Sequence, residues 1–137
     1  MGAGSLVREL YEAYQDRDWG RAEQLLHPDA VLEMPDTAER LVGREAIIFF
    51  QHDYPEPWGI LTVERVLADA FEEAAEVSVV HPSGRVFGLA AFWRPYDGLL
   101  HTGVEYWVTV GGADPPPERS ASSATRAARQ AWRDAHA

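Results

Sequence analysis

This 137-residue sequence predicts an α+β fold, and three observations carry the prediction. Apolar residues recur at helical spacing through the first third of the chain. From about residue 60 to residue 110 they alternate, which is the period of a strand. The last two alternating stretches meet at PYDG, whose Asp97-Gly98 pair is a hairpin signal. Helices first and antiparallel strands afterwards is the order of an α+β domain.

The elements follow in turn. In SLVRELYEAYQDRDW, residues Leu6, Val7, Leu10, Tyr11 and Tyr14 share one helix face, with Ser5 as N-cap. A short second helix is expected from Asp18 through WGRAEQLL, stopping at His27-Pro28. AVLEMP reads as a first strand closed by Pro35. GREAIIFFQHDY reads as a third helix with Ala46, Ile47, Phe50 and Tyr54 on one face, and YPEPWG breaks it. ILTVERVLA alternates, with Leu61, Val63 and Leu67 on one parity. EVSVVH sets Val77, Val79 and His81 on one side, and HPSGR turns. VFGLAAFWR and LLHTGVEYWVTV are two long strands. GGADPPPERSASS is a linker and ATRAARQAWRDA a short last helix. The division expected is one domain over residues 1–112, then a Pro-rich linker and basic tail over 113–137.

Composition excludes several function classes. With 46% apolar residues the chain can bury a core. No apolar run approaches the ~20 residues of a membrane span. MGAGSLV lacks the basic-then-apolar order of a secretory signal, and Leu6 stands where a myristoylation motif wants Ser or Thr. A cytoplasmic protein is expected. There is no cysteine, hence no disulfide, thiolate nucleophile or thiolate metal site. There is no lysine either, because all twelve basic residues are arginine. That removes Schiff-base chemistry and the phosphate lysine of a P-loop. A net charge of −10 repels nucleic acid and anionic membranes. Residues 113–137 carry four arginines against Asp114, Glu118 and Asp134, a net +1, so the rest carries −11. No histidine pair has metal-ligand spacing and there is no G-x-S-x-G elbow, so neither a metal nor a cofactor is expected.

The last two strands are apolar on both parities, so both faces of their sheet need cover. The helices can cover one. A second copy of the chain is the expected cover for the other, through a continuous outer face of Leu100, Thr102, Val104, Tyr106 and Val108.

Three strings in order, YQDRDWGRAEQLLHPDAVLEMP, LVGREAIIFF and YDGLLHTGVEYW, resemble the nuclear transport factor 2-like superfamily, in particular its SnoaL-like branch. The resemblance runs from about Leu6 to Val110. It implies a cystatin-like α+β barrel: a cone-shaped, curved antiparallel sheet wrapped around the N-terminal helices, with an apolar pocket in its mouth. The superfamily includes ketosteroid isomerase, scytalone dehydratase, limonene epoxide hydrolase and polyketide cyclases, and many members dimerise through the outer sheet face. In limonene epoxide hydrolase an acid precedes an aromatic pair on the last strand and faces the pocket, and Glu105-Tyr106-Trp107 matches it. The arginine and second aspartate of that enzyme are absent, because EVSVVHPSG offers His81 and Ser83 instead. Ketosteroid isomerase implies a base on the first strand and an oxyanion-hole tyrosine. Here only Glu33 and Tyr14 lie in roughly those positions.

The parity of His101, Gly103, Glu105 and Trp107 is therefore expected to face the pocket. A carboxylate on an apolar face is costly unless protonated, paired or hydrogen-bonded. Burial raises its pKa and so suits it to proton transfer near neutral pH. The competing reading is a salt bridge from Glu105 to Arg65, Arg85 or Arg94. His81 is expected to share a proton with Glu105, against a plainer reading as a turn histidine. Trp19 and Trp58 are placed at the mouth. Tyr14, Phe50, Tyr54, Trp93 and Trp107 are placed along a ligand, against ordinary core packing, and His101 at the rim. The resulting expectation is a small, mostly apolar organic ligand and cofactor-independent acid/base chemistry by Glu105, of isomerase, cyclase, dehydratase or hydrolase type. The alternative is a non-catalytic ligand-binding or protein-interaction module of the same fold.

Overall fold

A computed structural model describes residues 5–55 and 58–137. The Met1–Gly4 start and Glu56-Pro57 of the YPEPWG segment lie outside the described residues. The elements are α1 (Leu6–Gln15), α2 (Trp19–Leu25), β1 (Leu26–Met34), β2 (Glu39–Val42), α3 (Arg44–His52), β3 (Ile60–Ala68), β4 (Glu73–Val80), β5 (Val86–Tyr96), β6 (Leu99–Thr109), α4 (Pro117–Ser120) and α5 (Ser123–Ala135). One curved, unclosed sheet runs in the order β2-β1-β6-β5-β4-β3. α1 packs on β3, β4 and β6, and α3 packs on β1. No described helix is long and apolar enough to cross a membrane.

The first helix forms as its spacing predicts. Ser5 caps it, its hydroxyl accepting from the Arg8 N–H at 2.9 Å. Val7, Leu10, Tyr11, Ala13 and Tyr14 are buried. Glu73 on β4 accepts from the Val7 N–H at 2.9 Å, which fixes a carboxylate at the positive end of the helix and ties it to the sheet. Arg17 ends the turn in the left-handed region, φ 57°. Its guanidinium donates to the carbonyls of Tyr14 and Gln15.

Four features depart from the sequence reading. The second helix ends at Leu25, and β1 starts at once at Leu26 and takes in His27-Pro28, ahead of the AVLEMP stretch expected to form it. β1 pairs parallel with β6, so the sheet is mixed rather than wholly antiparallel. No hairpin joins those two strands, and nothing local fixes their relative direction. β2 was not anticipated. It is four residues long, half charged, and pairs antiparallel with β1. The fourth departure is a pair of register shifts. One, between Val63 and Arg65, buries part of Val66 and turns Leu67 outward, 67% exposed. The other lies at Arg94/Pro95, opposite Leu100–Thr102. Pro95 has no N–H for the ladder, and the shift reverses the parity of what precedes it. Leu100 is therefore fully buried in the core and does not belong to the outer face. That face is carried on β6 by Thr102, Val104, Tyr106 and Val108.

The tail forms α4 and then α5, in which no residue is buried. Ser122 caps α5, accepting from the Thr125 N–H at 3.0 Å.

Candidate functional site

The site is assembled around one strand position that has no side chain. Gly103 on β6 lies opposite Trp93 on β5. A Cβ there would stand 2.5 Å from the Trp93 ring, so only glycine lets the indole lie flat on the neighbouring strand. So held, Trp93 donates its Nε1–H to the Tyr11 hydroxyl at 3.2 Å. Tyr11, from α1, donates in turn to Glu105 Oε2 at 2.6 Å. Trp107 donates its Nε1–H to Glu105 Oε1 at 3.1 Å. Each carboxylate oxygen thus carries one donor. The Tyr11 hydroxyl is polarised by the indole behind it, which strengthens its own bond to the carboxylate.

Glu105 is 1% exposed, and no other described residue of acidic or basic type is buried. The salt-bridge reading is overturned. Arg65 pairs with Glu76 and Arg94 with Glu72, both on the exposed side. Arg85 lies over the Phe87 ring. Burial pushes the Glu105 pKa above the usual carboxylate range, and the bonds from Tyr11 and Trp107 pull it only part of the way back. Burial, then the charge of Glu105, raises Tyr11 and Tyr14 well above the ordinary phenol value. Both phenols keep their protons, so the carboxyl is the group of this cluster that titrates first.

Aromatic rings continue outward from Tyr11. Its ring meets Tyr14 edge-on at 5.7 Å. Tyr14, Trp19 and Trp58 form a triangle with ring centres 6.0–6.1 Å apart. His52 stands edge-on to Trp19 at 5.4 Å, and the Arg17 guanidinium covers Trp58 at 4.2 Å. Trp58 is aimed by the next residue, Gly59, at φ 97°, where a Cβ would lie 1.9 Å from the Val80 carbonyl oxygen.

The structure thus brings Tyr14, Trp19, Trp58, Trp93 and Trp107 into one connected cluster with Glu105. It does not bring in the others. Phe50 and Tyr54 pair with each other at 6.2 Å, with Tyr54 exposed. His81 sits in the β4–β5 turn, its ring bonded to Ser83 at 2.8 Å. Glu105 is level with Ala91 and hence with Ala75, six residues before His81 on β4. At strand rise that separates them by roughly 20 Å, too far to share a proton. His101 packs against His27 at 4.7 Å and Tyr96 at 5.4 Å, because the bulge at Pro95 turns this end of β6 away from Glu105.

Tyr11 is the residue the sequence reading passed over, placing the family tyrosine at Tyr14 instead. A signal existed. A tyrosine on a buried helix face needs a partner for its hydroxyl, and the one acid within the two long last strands is Glu105. Among the described residues no group of three or more His, Asp or Glu could hold a metal ion. An open groove of about 820 Å³ lies on the outer face of the sheet and is not lined by Glu105. Glu33 lines that groove and is exposed, on the far side of the sheet from Tyr11.

Comparison with known proteins shows the family of the chain, over residues that end before Gly103, Glu105 and Trp107. The model of a family described as SnoaL-like domain matches residues 7–100. A Kribbella flavida protein named as a candidate ketosteroid isomerase is 31% identical, with a TM-score of 0.74, over 82% of this chain and 80% of its own. An NTF-2 like protein of unknown function from Burkholderia xenovorans has a TM-score of 0.71 at 18% identity, over 84% of this chain and 88% of its own. An LEH-like epoxide hydrolase of M. tuberculosis has a TM-score of 0.64 at 18% identity, over 75% of this chain and 80% of its own. A search among curated proteins finds no match.

Proposed function

We propose that this chain, which belongs to the SnoaL-like domain family, binds a small, mostly apolar organic molecule and moves one of its protons with Glu105, without a cofactor. The observation that carries the reading is the carboxylate itself. It is buried, raised in pKa by that burial, and held by one neutral donor on each oxygen rather than neutralised by an arginine. A carboxylate so raised is a stronger base than a solvated one. Tyr11 on Oε2 fixes the carboxylate plane. Trp107 is half-buried, and its bond to Oε1 is the one a ligand exchanges for its own acidic hydrogen. Returning that proton elsewhere on the ligand isomerises it. Loss of a leaving group or ring closure after proton removal gives the dehydratase and cyclase outcomes. The relative named as a candidate ketosteroid isomerase supports chemistry of this type. The first-strand base of an isomerase is not reproduced by Glu33, which faces the outer groove.

A second reading, a ligand-binding or interaction module without catalysis, is favoured by one observation. Glu105 is closed off, and neither described cavity reaches it. The two readings separate by solvent-deuterium exchange. The protein is incubated in D₂O with a panel of small cyclic ketones, hydroxyketones and epoxides and the products are weighed by mass spectrometry. Catalysis gives deuterium incorporation or turnover that Glu105→Gln abolishes. Binding shifts without exchange leave the module reading.

The partner on the outer sheet face is, in the same reading, a second copy of this chain. Phe92 and Tyr106 meet edge-on at 6.1 Å on that face, and with Val108 they are left exposed. A cytoplasmic location fits the cysteine-free composition.

A further inference from the structure

We propose that the aromatic triangle of Tyr14, Trp19 and Trp58 takes the cationic head of the ligand, a protonated alkylamine or guanidine group, in the place that Arg17 now fills. The inference rests on the reading of this cluster as a ligand site and names the class of ligand.

Arg17 marks the site. Its guanidinium lies 4.2 Å over the Trp58 ring. Its Nη1 also donates to the carbonyl of Tyr14 at 2.8 Å and to that of Gln15 at 3.1 Å. Those carbonyls belong to the last turn of α1, the negative end of the helix dipole. An indole face and two carbonyl oxygens, all of which attract a cation, thus converge on one position. The walls of that position are fixed. Trp58 is half-buried, backed by Tyr14 edge-on at 6.0 Å and by Trp19 at 6.0 Å, and Tyr14 is fully in the core. The cation is the loosely held part. Arg17 is exposed, and it follows α1 at φ 57°, a backbone conformation that favours glycine.

The charges around the triangle favour a cation as well. Asp16 and Asp18 flank Arg17, and Asp53 follows His52, whose ring stands against Trp19. None of the ion pairs among the described residues engages these three carboxylates. The nearby Arg21 is already turned to Glu9, at 3.5 Å. Deeper in, the charge of Glu105 is felt at Tyr14, and Glu105 is bonded only to the neutral donors Tyr11 and Trp107. A net charge of −10 and the lack of any lysine work against a phosphate or carboxylate ligand at this place.

Exchange of Arg17 for a ligand strands no charge. The displaced guanidinium swings into solvent beside Asp16 and Asp18. The incoming ammonium or guanidinium takes over the two carbonyls as a donor and lies on the same indole face, and the apolar remainder of the ligand has the half-buried Trp19 and Trp58 rings to cover. A neutral molecule of the same shape keeps the apolar contact and forfeits the rest. Charge on the ligand is therefore what this site selects.

The test titrates the full chain with 1-butylammonium chloride and with its uncharged counterpart 1-butanol, at neutral pH and constant ionic strength, and follows the indole N–H signals of the five tryptophans by NMR. Butylammonium is expected to shift the Trp19 and Trp58 signals saturably, and butanol to bind about tenfold more weakly. Arg17→Gly keeps the left-handed turn and vacates the ring. It is expected to tighten butylammonium about tenfold and to leave butanol unchanged. Arg21→Gln removes a neighbouring charge of the same sign without uncovering the ring, and is expected to change butylammonium binding by less than about twofold. Equal affinities for butylammonium and butanol, or shifts that spare Trp19 and Trp58, overturn the cation site. So does an Arg17→Gly variant that binds butylammonium no better than wild type, or no better than Arg21→Gln. No chemistry at Glu105 enters these titrations, so their failure removes the cationic ligand and leaves proton transfer to be judged by the deuterium-exchange experiment.

Discussion

The Tyr11 hydroxyl lies 2.6 Å from the Glu105 carboxylate, across 94 residues of sequence. The bond joins the first helix to the last strand and is made by two groups that are each costly to bury alone. It is both a fastening of the fold and the centre of the candidate site, so its removal has readouts in stability and in titration.

Tyr11→Phe deletes the donor on Oε2 and the acceptor of the Trp93 indole together. A buried carboxylate is left with one donor and a buried N–H with none. The expected cost is about 1–3 kcal/mol, the desolvation penalty of unmatched buried groups. It should be larger where Glu105 is ionised than where it is protonated. Urea unfolding of wild type and variant at acid and neutral pH measures both, and equal losses at the two pH values would remove the charge from the explanation.

Glu105→Gln separates the charge from the shape. The folded-state pKa of Glu105 is raised above its unfolded value, chiefly by burial. The contribution of the group is then fully present below the ordinary glutamate range, about pH 4, and is lost as pH rises through the folded value. Relative to the variant, wild type should therefore lose melting temperature on going from about pH 4 to about pH 8. The amide brings a constant offset, because its NH₂ meets the Trp107 N–H donor to donor once its oxygen has taken Tyr11. A difference between the two melting curves that does not change with pH would show that the carboxyl has an ordinary pKa.

Much of this architecture is legible in the sequence because it follows from periodicity. The α1 face, the β5–β6 hairpin and the inward turn of Glu105 all come from spacing of apolar residues. What is not legible is where the spacing breaks. Pro95 marks a possible bulge but does not say which residue opposite it is displaced, and so Leu100 was read onto the wrong face. The four-residue β2 has no alternation to read. The site divides in the same way. Glu105 is an anomaly within one strand and can be found there. Tyr11, Trp93 and Gly103 matter through contacts between elements far apart in sequence, and a local pattern does not encode those contacts. His81 and His101 were chosen for titration near neutral pH, which is a property of the residue type and does not locate it.

Gly103→Ala tests whether the flat seat of Trp93 organises the site. The added Cβ falls 2.5–2.7 Å from three ring atoms, and the ring is fully enclosed. Overpacking of this kind costs about 1–3 kcal/mol. Gly88→Ala is the comparison, since its Cβ meets the ends of two valine side chains on the exposed face, Val108 at 3.2 Å and Val110 at 3.9 Å. Denaturant midpoints should fall clearly for the first and little for the second. The near-ultraviolet circular dichroism of the tryptophans should change only for the first.

Tyr106→Asp tests the assembly. With Leu100 withdrawn into the core, the outer face of β6 is Thr102, Val104, Tyr106 and Val108, continued onto β5 by Phe92. Tyr106 is 50% exposed and Val108 60%, an apolar surface of the kind monomers seldom leave in water. A stable interface buries about 1,200–2,000 Å² in total, and the face of a six-stranded sheet is large enough to supply it. A two-fold axis at this position brings the two Tyr106 side chains together, so aspartate there places two like charges at the centre of the interface. Because Tyr106 is exposed within one copy, the variant keeps its fold, which far-ultraviolet circular dichroism verifies. Light scattering should then report a monomer for Tyr106→Asp and a dimer for both wild type and Glu105→Gln. Glu105 points to the opposite side of the same strand, so its charge does not reach the interface. Wild type found monomeric at micromolar concentration would remove the dimer while leaving the Tyr11–Glu105 site untouched.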